Sequence, residues 1–349
     1  MAKVIFFILI GIYLLLTLCV IIWKINILNF KNILKVVVKY MNILKKITNN
    51  ISKVIIGKDE SIELAAIALI ARGHILLEDV PGTGKTTLAK SLAKSVDAKF
   101  QRIQFTADTL PGDVIGLEYF DVKESDFKTR LGPIFANIVL VDEINRAVPR
   151  TQSSLLEVME ERTVTIAKQT HLLPEPFLVI ATQNPLESAG TFPLPDAQLD
   201  RFLLTIRQGY PTREAEKEMM NRFQMNDPLE TLHSIISSEE IITVQKRARE
   251  VLVGNDVQDY LLEMIEATRK HELIEIGVSP RGTLAFMRAI QARAILNERD
   301  YCTPDDIKTL AASVCANRLT LTIEGEMKTT KEQIIKEILH TIHVPVENV

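Results

Sequence analysis

Residues 81–87 read Pro-Gly-Thr-Gly-Lys-Thr-Thr, and residues 138–143 read Ile-Val-Leu-Val-Asp-Glu. The first run follows the apolar stretch 75–77 and precedes a helix-like stretch, 88–96. A strand, a glycine turn and a helix N-terminus form a cradle for phosphate, because backbone N–H groups and the helix dipole favour negative charge. The pattern predicts a phosphate-binding loop composed of Pro81, Gly82, Thr83, Gly84, Lys85, Thr86 and Thr87.

Four side chains in these two runs are candidates for nucleotide chemistry. Lys85 is placed to reach the β- and γ-phosphates, and the Thr86 hydroxyl to ligate Mg²⁺. Asp142 and Glu143 end a run typical of a buried strand, so we expect Asp142 to hold the Mg²⁺ shell and Glu143 to polarise the attacking water. The strict loop pattern has glycine where this chain has Asp79, but the second run compensates for that departure. Together the runs predict Mg²⁺-dependent binding and hydrolysis of ATP.

The surrounding sequence predicts an α/β domain followed by a helical one. Apolar strand-like runs alternate with helical patterns from about residue 50, as a parallel sheet requires. After Pro211 helical periodicity continues to the end of the chain, with start signals at Ser238 and Thr303. The predicted strands are 75–78, 100–105, 138–142, 177–182 and 202–206, and the predicted later helices are 213–225, 239–252, 257–271, 280–296, 303–316 and 331–340.

Three further polar residues could take part in the reaction. Asn184 ends a predicted buried strand, where its amide could orient the attacking water, although Asn-Pro also starts turns. Arg201 directly precedes a strand and could reach a neighbouring subunit's γ-phosphate, or could form only a surface ion pair. Arg281 lies in the first turn of a predicted helix, where a cation opposes the dipole. That cost favours a phosphate contact over a tolerated surface arginine.

The first 24 residues have the pattern of a membrane anchor. The stretch 4–23 has no charge and is long enough to span a hydrocarbon core of about 30 Å. A cleaved signal peptide would have a shorter apolar region ending in small residues, and this one ends in Ile-Ile-Trp-Lys. We therefore expect a transmembrane anchor at 1–24 and a basic juxtamembrane helix or linker at 25–47. The lysines that follow the span predict a single-pass membrane protein with its ATPase body in the cytoplasm.

Charge and length narrow the function further. The 349 residues allow about two domains, predicted at 48–210 for nucleotide binding and at 211–349 for a lid. Residues 1–58 carry nine lysines and no acid, which leaves 32 basic and 44 acidic residues beyond them, a net charge of −12. An acidic body disfavours a nucleic-acid motor, so we expect no nucleic-acid partner. The three cysteines show neither disulfide nor metal-ligand spacing.

These features, in this order, resemble the MoxR family of AAA+ ATPases over about residues 48–340. The most specific parts are Val-Asp-Glu-Ile-Asn-Arg-Ala at 141–147, followed by Thr151-Gln152, and Leu-Pro-Asp-Ala-Gln-Leu-Asp-Arg-Phe at 194–202. Gly-Val-Ser-Pro-Arg at 277–281 and Gln-Phe-Thr at 104–106 also resemble the family. The resemblance implies an AAA+ P-loop αβα sandwich with a parallel five-stranded sheet and an all-helical lid. Here one N-terminal transmembrane helix, not a general feature of this family, would precede them.

The resemblance also implies roles and partners. Asn184 resembles the first sensor, Arg201 the finger that acts on a neighbouring subunit, and Arg281 the second sensor; Ile55, Ile56 and Gly57 resemble the adenine-contacting segment. Such proteins form homo-oligomeric rings, usually hexamers, and remodel protein clients in a chaperone-like way, often clients with a von Willebrand factor A domain. Regions 118–135 and 162–171 resemble inserted hairpins that face partners. The alternative function is a nucleotide-dependent, membrane-anchored switch or scaffold with slow hydrolysis.

Overall fold

The computed structural model describes residues 43–345 except 81, 185–189 and 225. Nine strands precede the lid: β1 Ile75–Glu78, β2 Phe100–Gln104, β3 Gly116–Asp121, β4 Asp126–Leu131, β5 Ile138–Asp142, β6 Thr163–Ile166, β7 Gln169–Leu172, β8 Leu178–Gln183 and β9 Leu204–Ile206. Five of them form one sheet in the order β2-β5-β8-β1-β9, and every neighbouring pair is parallel. The predicted five-stranded parallel sheet is therefore confirmed.

The helices of the described residues follow the same order along the chain. They are α1 Ile43–Ile51, α2 Asp59–Ile70, α3 Lys85–Ser95, α4 Pro111–Ile115, α5 Pro149–Glu161, α6 Asp196–Leu199, α7 Arg213–Phe223, α8 Ser238–Ala248, α9 Asn255–Lys270, α10 Pro280–Leu296, α11 Pro304–Cys315, α12 Ile323–Lys328 and α13 Lys331–Thr341. The predicted domain limits stay predictions. Helix α1 runs across the limit that was predicted between residues 47 and 48.

Burial explains why the central strands are so apolar. All five residues of β5 are buried, because a parallel sheet covered on both faces has no solvent side. The register places Gln104 of β2 beside Asp142 of β5, and Glu78 of β1 beside Gln183 of β8. The carboxyl ends of these strands therefore meet at one edge of the sheet, where α/β proteins bind their ligands.

The lid is helical with one exception that the sequence analysis missed. A two-stranded antiparallel sheet joins β10, Ile274–Ile276, to β11, Thr320–Leu321. Strands this short leave no readable alternation, so the expectation of an all-helical lid was wrong in this detail. A second difference is the cap of α8. Ser237, not Ser238, caps it by accepting a hydrogen bond from the Glu240 amide.

Both predicted hairpins extend from the nucleotide domain. The first pairs β3 with β4, and the second pairs β6 with β7. The tip of the first hairpin exposes apolar side chains: Phe120 is 50% exposed, Phe127 63% and Val122 81%. Phe120 and Phe127 stack edge to face with their ring centroids 5.3 Å apart.

The predicted fold class and location need one correction. We expected a transmembrane helix at 4–23, but within the described part of the chain no helix combines the length and apolarity that crossing a membrane needs. The longest, α10, has 17 residues and carries three arginines, whereas a span needs about 20 apolar residues. Residues 4–23 themselves lie outside the described residues. In the described residues the fold therefore consists of the sheet and its lid, and the single-pass membrane location is not supported.

Candidate nucleotide site

The glycines of the predicted phosphate loop adopt conformations that other residues avoid. Gly82 has φ +85° and Gly84 has φ +90°, and a Cβ atom at either position would meet no atom within 4 Å. The loop therefore leaves open space in front of its backbone, as close approach of a ligand requires. Helix α3 begins directly after it at Lys85. Pro81 lies outside the described residues, and Thr83 donates a hydrogen bond to the Val80 carbonyl.

Asp79, the departure from the strict loop pattern, anchors the entry to the loop. Its carboxylate accepts hydrogen bonds from the backbone amides of Val80, at 2.9 Å, and Gly209, at 3.0 Å. Lys85 donates to the Asp79 carbonyl at 2.7 Å. Burial lowers the pKa of Lys85, and the carboxylates of Asp79, Asp142 and Glu143 oppose that shift. An aspartate at this position therefore ties the loop to the chain that leaves β9.

A cavity of about 400 Å³ opens in front of the loop. Its lining comes from the loop, from α3 and from the carboxyl ends of three sheet strands, and comprises Gly82, Gly84, Lys85, Thr86, Thr87, Arg102, Gln104, Asp142, Glu143, Thr182 and Asn184. The predicted site residues Lys85, Thr86, Asp142, Glu143 and Asn184 therefore line one cavity.

Asp142 is held by two neighbours at the end of β5. The Arg102 Nε donates to its Oδ2 at 2.6 Å, and the Thr182 hydroxyl lies 3.3 Å from its Oδ1. The arginine side chain is 53% exposed. Among cavity residues, Thr86 and Asp142 offer a hydroxyl and a carboxylate, the oxygen ligands that Mg²⁺ prefers. The donor set therefore fits Mg²⁺ bound together with a nucleotide.

Glu143 occupies a backbone conformation that is rare for a glutamate. Its φ is +58° and its ψ is +53°, a left-handed geometry that costs free energy unless the surroundings fix it. The Thr182 hydroxyl fixes it by accepting a 2.9 Å hydrogen bond from the Glu143 amide. The carboxylate Oε2 accepts from Gln104 Nε2 at 2.8 Å and lies 3.0 Å from Arg146 Nε. The carboxylate therefore faces the cavity, and the Gln104 and Arg146 side chains hold it in position.

The predicted adenine segment lies beside the loop entry rather than in the cavity lining. Ile55 is buried, Ile56 is half-buried, and Gly57 has φ +69°. A Cβ on Gly57 would lie 3.0 Å from the Ala215 Cβ, so the segment packs against the start of α7. The next residue, Lys58, donates to the carbonyls of residues 208–210. A base contact by 55–57 stays a prediction.

Arg201 and Arg281 lie together, away from the phosphate cavity. Neither belongs to the described residues that line that cavity. Both instead contact Glu160 at the end of α5: Arg281 Nη2 at 2.6 Å and Arg201 Nε at 3.3 Å. They line a second cavity of about 260 Å³. The structure therefore separates the two predicted arginines from Lys85, Asp142 and Glu143 of their own chain.

Sequence reasoning gave no role to four residues that shape these sites. In the sequence, Asp79 is only a departure from a motif, and no pattern predicts chemistry for Arg102, Gln104 or Glu160. One signal could have identified Gln104 and Arg102. Both lie near the carboxyl end of a predicted strand, and the carboxyl ends of parallel strands meet at the sheet edge that holds Asp142 and Glu143. Glu160 carried none, because it reads as one more acid on the polar face of a helix.

Two family models match the chain. The model of the ATPase family associated with various cellular activities (AAA) matches residues 74–204, which contain four of the five sheet strands and the phosphate cavity. The model of the AAA lid domain matches residues 266–338, within the helical region that follows. The matched segments therefore correspond to the two parts of the fold described above.

Individual relatives agree with these matches over most of the chain. The uncharacterized protein YeaC of Bacillus subtilis is 46% identical over 87% of this chain and 96% of its own. The chaperone MoxR1 of Mycobacterium tuberculosis is 39% identical over 85% and 81%. A crystal structure of a candidate ATPase from Cytophaga hutchinsonii superposes with a TM-score of 0.84 at 36% identity, covering 91% of this chain and 99% of that one. With the phosphate loop, the paired carboxylates and the lid in place, the chain belongs to the MoxR family of AAA+ ATPases and is an ATP hydrolase.

Proposed function

We propose that this ATPase works as a homo-oligomeric ring, most simply a hexamer, that couples Mg²⁺-dependent ATP hydrolysis to the remodelling of a protein client. The observation that carries this proposal is the division of the site. Lys85, Asp142 and Glu143 line one cavity, while Arg201 and Arg281 lie elsewhere in the same chain. A site divided in this way needs a second subunit to supply its arginines.

Within one chain, the loop residues bind and orient the nucleotide. The backbone of Gly82–Gly84 and the α3 N-terminus face the phosphates, and Lys85 exchanges its bond to the Asp79 carbonyl for a phosphate oxygen. Thr86 and Asp142 would hold Mg²⁺, which supplies charge neutralisation on the phosphate oxygens when bound. For Asp142 to do so, Arg102 must release its carboxylate.

Glu143 and Asn184 then act on water. The Glu143 carboxylate accepts the proton of the attacking water once it is freed from Gln104, and general bases of this kind contribute about 10²–10⁴ in rate. Asn184 is 9% exposed at the end of β8, where its amide can orient that water. Across the ring interface, Arg201 and Arg281 stabilise the charge that develops on the transferred phosphoryl group, a contribution of about 10³–10⁵.

We infer that the client is a protein, because the β3–β4 hairpin presents apolar side chains to solvent. Contiguous exposed apolar patches mark interaction sites on protein surfaces. The family resemblance favours a client with a von Willebrand factor A domain. Titrating such a domain should raise ATP turnover of the wild type, and Phe127→Ser should lose that stimulation while keeping the basal rate. A wild-type rate that no protein of this class changes would contradict this part of the proposal.

The ring proposal is tested by ATP turnover of the full chain across protein concentrations. A specific rate that rises with concentration indicates shared sites. Arg201→Ala and Glu143→Gln subunits, each nearly inactive alone, should regain activity when mixed, because the intact cavity of one then meets the intact arginine of the other. Glu143→Gln should still bind ATP and assemble while turnover falls about 10²-fold or more. A specific rate that does not change with protein concentration, together with a mixture that stays inactive, would contradict the shared site.

One contact supports a second candidate function, a nucleotide-dependent switch. The hydrogen bond from Gln104 restrains Glu143, which favours slow basal hydrolysis. Turnover far below about 1 s⁻¹, unchanged by any protein partner, would support the switch, because typical enzymes turn over at or above that rate.

A further inference from the structure

Glu160 connects two arginines that come from different parts of the fold. It stands near the C-terminus of α5, a helix that begins seven residues after Asp142. One carboxylate oxygen, Oε1, accepts a 2.6 Å hydrogen bond from Arg281 at the start of lid helix α10. The other, Oε2, lies 3.3 Å from Nε of Arg201, which lies three residues before β9. One carboxylate therefore fixes the relative position of both guanidinium groups.

The cavity around this carboxylate has an excess of positive charge. Six arginines and His74 line it, but only two acids do so, Glu160 and Asp200. Asp200 is already engaged by the buried Arg318, at 2.7 Å, and by the Ser279 hydroxyl, at 2.8 Å. Glu160 is thus the carboxylate that balances Arg201 and Arg281, and it leaves about one net positive charge to attract an anion.

The geometry at Arg201 is incomplete within a single chain. Its Nε is buried and makes no hydrogen bond in the described structure, although the Glu160 carboxylate is near. An unsatisfied buried donor costs about 1–3 kcal/mol, and more when it is charged. The Arg201 side chain is nevertheless 30% exposed, so the guanidinium has surface left to meet a phosphate oxygen from outside the chain. The side chain of Glu160 is 39% exposed, so its ion pairs add little to the stability of the fold.

We propose that Glu160 is a positioning residue that aims Arg201 and Arg281 together at the polyphosphate of the neighbouring subunit. This inference rests on the proposed function, in which those arginines serve the neighbour. Without the carboxylate the two like charges repel each other, and α10 loses its link to α5. Glu160 therefore acts in the reaction through the arginines and does not itself touch the nucleotide.

The first test is steady-state kinetics of the full-length Glu160→Gln variant. We expect kcat to fall about 10-fold or more, within the range that arginine fingers control, while KM for ATP stays unchanged. Glu157→Gln, on the same helix one turn earlier, is the matched control and should keep the wild-type rate. Thermal unfolding of both variants should match the wild type. An unchanged kcat in Glu160→Gln would overturn the proposal.

The second test asks whether the defect is exerted on the neighbour. Glu160→Gln subunits keep their own phosphate cavity, and Glu143→Gln subunits keep their arginines. An equal mixture should therefore regain activity, up to about a quarter of the wild-type rate if subunits mix randomly in a closed ring. A defect of folding or of the chain's own catalytic residues would not be rescued in this way.

A mixture of Arg201→Ala and Glu143→Gln subunits tests whether arginines are shared between subunits, independently of the role of Glu160. If that mixture regains activity and the Glu160→Gln mixture does not, the positioning role of Glu160 is overturned while the shared site stands. If neither mixture regains activity, arginine sharing itself is wrong, and the role of Glu160 is overturned with it. If both regain activity, Glu160 acts through the shared arginines as proposed.

Discussion

Gln104 Nε2 donates a 2.8 Å hydrogen bond to Oε2 of Glu143, the residue expected to activate water. The two residues lie at the carboxyl ends of adjacent parallel strands, β2 and β5. A carboxylate that accepts this bond is less available to accept one from water. Any movement of the end of β2 that breaks this hydrogen bond should therefore change the rate of hydrolysis.

Removing that restraint should speed basal hydrolysis. A hydrogen bond to a charged group contributes about 1.5–3 kcal/mol, and less at a half-exposed site such as this one, so Gln104→Ala should raise basal kcat by about 3- to 10-fold. KM for ATP should not change, because the loop that binds phosphate is intact. Steady-state phosphate release measures both constants. Gln101→Ala on the same strand is the control, and a slower Gln104→Ala would show that the amide assists the reaction instead.

Arg102 should compete with Mg²⁺ for Asp142. Its guanidinium donates to Oδ2 of that carboxylate at 2.6 Å but is half exposed, so the ion pair is worth about 1 kcal/mol or less. Arg102→Ala should lower the Mg²⁺ concentration for half-maximal binding of a fluorescent ADP analogue by about 2- to 5-fold. Binding without Mg²⁺ is the control measurement. A higher Mg²⁺ requirement in the variant would mean that Arg102 helps to hold the nucleotide.

Arg318 should be the most important polar side chain for the stability of the lid interface. It is buried, forms an ion pair with Asp200 at 2.7 Å, and donates to the carbonyls of Leu203 and Phe202. Arg318→Met removes the arginine's hydrogen bonds from the two carbonyls and its ion pair from Asp200, so the free energy of unfolding should fall by about 3–5 kcal/mol. Urea denaturation measures the loss. Asp200→Asn should cost less, because an amide still accepts the arginine's bond, and equal costs would argue against the buried ion pair.

His74 should make the fold sensitive to acid. Its Nδ1 accepts a hydrogen bond from the Val179 amide at 3.0 Å, and its Nε2 contacts the Met159 carbonyl at 2.9 Å, so the neutral ring fits. Burial, with a smaller effect from Arg162, lowers the pKa of His74 from 6.5 to about 3.

Because the folded pKa lies below the unfolded one, the unfolded chain binds the extra proton first as the pH falls. The stability that His74 contributes is present above pH 6.5 and is lost from there towards pH 3, by about 1 kcal/mol per pH unit. Urea midpoints between pH 4.5 and 7.5 measure this slope. His74→Gln should be less stable at pH 7.5 but should show a shallower pH dependence. Equal slopes in the two proteins would rule out His74 as the source.

The sequence was sufficient for the elements that depend on local patterns. The run 138–142 is apolar throughout because both faces of its strand are covered, and the two loop glycines adopt positive φ angles that few other residues tolerate. The helix start at Thr303 was readable because its capping box lies within four residues. The strands β10 and β11 were not, since three and two residues carry no period.

The sequence by itself determined the phosphate loop, the five strands of the parallel sheet, and most residues of the phosphate cavity, because each depends on neighbours within a few positions. Only the tertiary structure decided which side chains contact and position the residues of the two cavities. Gln104 and Glu143 are 39 positions apart, Arg281 and Glu160 are 121 apart, and Arg318 and Asp200 are 118 apart. Such contacts depend on how the sheet edge and the lid pack together. No periodicity records that packing, because it is set by the summed burial of the whole core and not by any one segment.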